Sequence, residues 1–455
     1  MKKLICLFIF LILVFSMISC KNNGADNNGN GDIGSVEGNG GTNNESNGDN
    51  TDENDGEIND ENSNGGEIND ENGDSTDEDD GEIGGEDENE DDNTPNYETD
   101  ENGLVYILLD NGTYSVGGSE GLSLSELVIP SSFNGKAVTR ISLNAFLGMS
   151  DITSVSIPEG IEIISDSSFY GCSGLTNVDL PDSLISIGNG AFDNCWSLTS
   201  VSFGNNLTSI GADAFSSTGI TSLIFPDSLT SIGKSAFHLC YSLSEVTFPN
   251  NLTIIGETAF YRCTSLKSVN IPSSVKNIGE GAFQYCFGLE DLVIENGVLV
   301  IESSAFEACS AIKSIAIPDS VTDIGYAAFA YCESIEEVMI GNGVKSIGNS
   351  AFDGCDNLVN LTIGNSVNSI GTRAFYGCTA LSSITIPRSV SLICRWAFYQ
   401  CSALTEVSFE NTVGWWYNAD IDDAGGWDIP SSDLSNSATA ADLLTKDYYN
   451  YYWKR

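Results

Sequence analysis

A phenylalanine returns every 23 residues through most of this chain. It stands at positions 146, 169, 192, 215, 237, 260, 283, 306, 329, 352, 375 and 398, and only the step from Phe215 to Phe237 is shorter, at 22. Counted from that Phe, a unit reads A-F-x-x-C-x-x-L-x-x-V-x-I-P-x-S-L/V-x-x-I-G-x-x. Twelve copies in register exclude chance. A period of this length means a solenoid, in which each unit exposes an apolar face that only its neighbours can cover.

The columns of the repeat say how a coil closes. Position +6 is apolar, as in Leu175, Leu198 and Leu266. Positions +9 and +11 alternate with polar residues, as in Val178 and Leu180 or Val269 and Ile271. That alternation predicts a strand with one buried face. Pro follows in seven of the twelve units and ends the strand, because it has no N–H to donate. Ser, Asn or Gly at +14 suits a turn, and a second run such as Leu184-x-x-Ile187-Gly188 then returns on the other side of the coil.

The run Leu175-x-x-Val178-x-Leu180 resembles the core of the leucine-rich repeat family. The A-F-x-x-C and I-P-x-S-V-x-x-I-G signatures resemble its BspA-type bacterial surface branch more closely, over roughly residues 101 to 455. The resemblance implies a mainly β solenoid of parallel 23-residue coils, with short turns or 3-10 segments at the A-F motif. It also implies a surface protein associated with attachment to host matrix proteins and with bacterial coaggregation. One departure is plain: the buried Asn of the general family is mostly Ser here.

Charge separates the front of the chain from the repeats. Residues 21 to 100 hold 28 Asp and Glu against Lys21 alone, so −27 of the net −48 sits there. With few large apolar residues, segment 20–100 is expected to be a disordered acidic tether extended by its own repulsion. Before it, Lys2 and Lys3 precede an apolar run from Leu4 to Ile18, which predicts an export signal over 1–19. The ending Met17-Ile18-Ser19-Cys20 resembles the bacterial lipobox, which implies lipidation of Cys20. The alternative is an ordinary signal peptide that contains Cys20. Either way the chain is placed outside the cytoplasm, in the cell envelope; with the lipid it is anchored to a membrane.

Two segments flank the array of 146–409. In 101–145, Asp110-Asn111-Gly112 between apolar runs predicts a β-hairpin within an N-terminal cap. In 410–455 the period breaks, and Trp415, Trp416, Trp427 and the run from Asp447 to Trp453 predict an aromatic C-terminal cap or an aromatic ligand patch.

Catalysis finds little support. His238 is the lone His, read as an exposed loop residue, so no Ser-His-Asp or Cys-His set can form. Of thirteen Cys, ten occupy position +3 and are expected to stack as buried free thiols. No zinc spacing, metal loop or phosphate loop is present, and no cofactor is expected. Residues 101 to 455 carry 37 Asp and Glu against 14 Lys and Arg, which disfavours nucleic acid. What remains is a surface. The +10 column is chiefly small and neutral but holds Val293, Ala316 and Met339 in succession, with Asp291 and Glu337 beside them at +8. Apolar centres with charged rims are usual at protein interfaces, so these five residues are the expected protein-binding strip. The alternative is a structural envelope protein with no specific ligand.

Overall fold

The computed structural model describes residues 97–118, 121–422 and 426–455. The expected signal segment, Cys20 and nearly all of the expected tether lie outside the described residues.

Thirteen turns of about 23 residues stack into a parallel β-solenoid. Each turn contributes a strand of three or four residues to one row, from Glu126–Val128 to Glu406–Phe409. It contributes a two-residue strand such as Ser186–Ile187 to a second row. Pairing is parallel and in step with the repeat: Ser186 faces Ser209 and Ile187 faces Ile210. Alternation holds as expected, with Ile315 and Ile317 buried and Ser314 and Ala316 exposed in Ser314–Ile317. The short step at Phe215 is absorbed before the next strand, since Ser222 still pairs with Glu245.

The Phe column forms a continuous stack. Neighbouring rings from Phe146 to Phe398 lie 5.1 to 5.4 Å apart and within 22° of parallel. Each ring is fully buried, and burying a side chain of that size supplies ~1.5–3 kcal/mol before entropy.

The A-F turns are tied together by a third ladder that the repeat pattern does not announce. In all twelve coils, the residues two before and two after the Phe have positive φ, such as Ser167 at 52° and Gly171 at 70°. Alternating right- and left-handed residues aim every second amide along the stack. Thus Ser167, Phe169 and Gly171 donate to Asn189, Ala191 and Asp193 of the next coil, each at 2.8 Å. The left-handed conformation costs a non-glycine residue ~1–2 kcal/mol, and the bond each one makes offsets it.

The ten cysteines at +3 are buried and free, as expected of small core residues, but they also bond. All ten thiols at +3 donate to the carbonyl of the Phe one coil earlier, as Cys172 Sγ does to Phe146 O at 3.1 Å. That same carbonyl accepts the Met149 N–H within its own turn, so both of its lone pairs are used. Thr218 replaces Cys in one coil and donates to Phe215 O instead. On the other side, Ser183, Ser228, Ser274 and Ser320 donate to carbonyls of the preceding coil at 2.5 to 2.8 Å. Cys394 stands where other coils mostly carry Gly; its side chain is half-buried and nothing in the structure explains the choice.

The two ends are built differently. At the front, Leu104–Leu108 and Tyr114–Gly118 form the expected hairpin. Tyr114–Gly118 runs parallel to Lys136–Ile141, which joins the two-residue strand row at Ile163–Ile164. An outer strand, Tyr97–Thr99, pairs antiparallel with the hairpin, ahead of the boundary set at 101. Its acidic surroundings hide it in the sequence, but Glu98 accepts from the Tyr114 hydroxyl at 2.8 Å. At the back, helix Ser437–Asp442 lies over the last long strand, Glu406–Phe409. Strand Tyr452–Lys454 covers the last short strand in antiparallel sense. Tyr449 accepts from the Trp396 amide and stacks on Tyr399 at 4.2 Å.

Candidate protein-binding face

The row of longer strands presents one face to solvent because +9 and +11 point into the core. All five residues of the expected strip lie on the outer side: Asp291, Val293, Ala316, Glu337 and Met339 are exposed. Ala316 pairs directly with Met339, and Ser314 with Glu337. Val293 pairs with Asn270 on its other side. Strand Asp291–Ile294 abuts Ser314–Ile317 but belongs to a separate ladder, so a seam crosses the strip between Val293 and Ala316.

Below the strip the surface dips. A shallow cavity of about 440 Å³ is lined by Ala316, Pro318, Asp319, Met339 and Gly341, with Asn296 at its edge. Gly341 is required there: a Cβ would meet Ile317 O at 2.6 Å. Val293 and Met339 are 54% and 48% exposed, two large apolar side chains two coils apart on one face. Much of the same column is polar elsewhere, as where Ser202 donates to Asp179 at 2.7 Å, while Val128 is 66% exposed at its N-terminal end. Ile224 is more exposed still, but its ladder partner is Thr247, so it stands alone.

The turns on the Phe side carry features that the repeat count passed over. His238 is half-buried rather than an exposed loop residue. It stacks on Tyr261 at 4.9 Å, and burial lowers its pKa. Arg262 lies over Tyr261 and Tyr285, and Tyr285 lies near Phe287. Part of the signal was present in the sequence, as Arg262 and Tyr285 stand in a column where several other coils have Gly.

Reactive groups are scarce. Burial pushes the Cys172 and Cys332 thiols up to about 12, so the thiolate needed for nucleophilic attack is suppressed at neutral pH. Burial also pushes the Asp193 carboxyl up to about 6, assisted by the nearby Asp213 charge and opposed by a bond from Ser216. Among the described residues, no group of three or more His, Cys, Asp or Glu could hold a metal ion. No described helix is long and apolar enough to cross a membrane.

Coils with this strand rhythm and this buried ladder define a leucine-rich-repeat solenoid. The family described as BspA type leucine rich repeat region (6 copies) matches residues 120–244, 230–359 and 322–414. The chain belongs to the BspA-type leucine-rich repeat family. A leucine-rich repeat protein of known structure from Bacteroides ovatus is similar at 30% identity, with a TM-score of 0.54, covering 67% of this chain and 87% of that one. A leucine rich cell surface protein from Faecalibacterium prausnitzii shares 28% identity over 70% of this chain and 96% of that one, with a TM-score of 0.45. A leucine-rich repeat protein from Eubacterium ventriosum shares 22% identity over 68% and 95%, with a TM-score of 0.38. No curated protein matches the chain. Proteins of this family are generally surface proteins engaged in protein–protein interaction, and their solenoids are typically not enzymes.

Proposed function

We propose that this is a lipid-anchored protein of the bacterial cell surface that uses its strand face to bind a protein on a host or on another bacterium. The observation that carries the reading is the strip itself. Ala316 and Met339 are in register, Val293 lies across the seam, and Asp291 and Glu337 flank them. An extended face of this kind is how solenoids engage partners, and the charged flank fits the rim of an interface.

The test is a pull-down of host matrix and bacterial surface proteins on the chain at physiological salt. A saturable partner is expected, and Met339→Glu should weaken it by ~2 kcal/mol or more while the melting transition stays nearly unchanged. A chain with no saturable partner would instead be a structural envelope protein. For the anchor, labelled palmitate should enter the wild type and not Cys20→Ala, and the variant should be released from the membrane. Unchanged membrane association of the variant would defeat that part.

A further inference from the structure

The Phe side of the solenoid, away from the strand face, holds a second concavity of about 500 Å³ across the coils of Phe306 to Phe375. Part of its room comes from Ala330, which stands where other coils have Tyr170, Tyr261, Tyr376 and Tyr399. Ala327 and Ala330 are buried in its floor, in columns that elsewhere hold Thr258 and Tyr261. Two tyrosines line it: Tyr326 is 59% and Tyr331 is 49% exposed. Tyr331 sits at φ 58°, a conformation that the next two coils satisfy with Gly354 and Gly377. Its ring lies across Gly354, whose absent Cβ would meet Tyr331 Cδ1 at 2.9 Å. The tyrosine therefore holds a strained position, and its neighbour makes room for the ring.

The polar groups are equally placed. Asp353 is 5% exposed and accepts from Arg373 Nε at 3.0 Å. Arg373 is itself left-handed, at φ 58°, and its guanidinium lies 3.9 Å over Tyr376. Glu307, which accepts from Gln284, completes the lining on the other side. Arginine beside carboxylates disfavours a cation, and carboxylates on a chain this acidic disfavour an anion. What fits is a neutral ligand with an apolar face for tyrosine and a rim of groups that both donate and accept. A sugar ring has that chemistry. We propose that this pocket is a binding site for a neutral glycan, with the C–H face of one ring on Tyr326 or Tyr331 and its hydroxyls on Asp353 and Arg373.

The experiment is saturation-transfer NMR and calorimetry on the full chain with the methyl glycosides of glucose, galactose, mannose and N-acetylglucosamine at millimolar concentration. Methyl glucuronide and adenosine serve as counter-ligands. At least one neutral glycoside should bind, and Tyr331→Gly should weaken it about tenfold or more without lowering Tm, because two neighbouring coils already use Gly there. Tyr241→Ser, on a distant coil, should leave the affinity unchanged. The proposal is overturned if none of the four glycosides binds, if Tyr331→Gly binds as well as wild type, or if adenosine or the glucuronide binds in preference.

Discussion

The middle of the array and its C-terminal end solve opposite problems. A mid-array coil such as that of Phe283 must offer the same surface above and below, so that Phe260 stacks on one side and Phe306 on the other. The last coil must offer a surface below and none above. It is closed by three unlike pieces: helix Ser437–Asp442 over the long strand, Tyr449 over the turn, and Tyr452–Lys454 over the short strand. The antiparallel sense of that final strand ends the parallel ladder, and Trp453 and Trp415 bury beside Phe409 where another coil would have packed. A repeat is cheap to extend and needs a non-repeating element to stop it.

The largest effect is expected in the middle. Phe283→Ala removes a ring from between two others and should cost ~3–5 kcal/mol in denaturant unfolding. A loss under ~1 kcal/mol would remove Phe283 from the core. Trp453→Ala should cost a similar ~3–5 kcal/mol locally, but the damage should be graded. Hydrogen exchange should quicken first in the coils of Phe375 and Phe398 and leave the coil of Phe169 protected. Uniform acceleration along the array would mean that the end is not an independent closure.

The thiol ladder sharpens the same contrast, since it runs the length of the array. Cys286→Ala should cost ~1–3 kcal/mol, from lost packing and a carbonyl left with one donor fewer. Cys286→Ser should recover part of that, because its hydroxyl is close in shape to the thiol and can donate to Phe260 O where Cys286 Sγ does. Equal losses in both variants would show that the thiol bond contributes nothing.

The smallest effect concerns Asp193. Its carboxyl rises from 3.8 in the unfolded chain to about 6 in the fold. Below about pH 3 it is protonated in both states and makes no difference. Between about pH 4 and pH 6 the unfolded chain loses its proton first, so stability falls as pH rises, and the penalty persists at neutral pH. Asp193→Asn should make that slope shallower and raise Tm at pH 7, with Asp213 and Asp353, also raised by burial, supplying the rest of the slope. A variant with the wild-type slope would place the titration elsewhere.

Much of this was legible before the structure. The Phe spacing gives the coil, the alternation at +8 to +11 gives the buried and exposed sides, and Asp110-Asn111-Gly112 gives the hairpin. The rest was hidden for physical reasons. The thiol bond to a carbonyl needs a neighbour 26 residues away, and a Cys column reads as apolar filler without it. Tyr97–Thr99 is too short and too acidic in context to read as a strand. The seam between Val293 and Ala316 depends on ladder bonds, which a period of 23 treats as equivalent in every coil. The glycan pocket takes part of its room from Ala330, in a column where four other coils have Tyr, and it emerges only when coils are stacked.

The central functional claim is that one part of the strand face, and no other, meets a protein partner. Photo-crosslinking tests it directly, with benzoylphenylalanine placed at Met339 or, on the same column, at Ser202. Both positions are exposed and neither side chain enters the core. The partner captured by the wild-type chain should crosslink from position 339 and not from 202. Equal crosslinking from both positions, or crosslinking from 202 alone, would contradict the assignment of the strip.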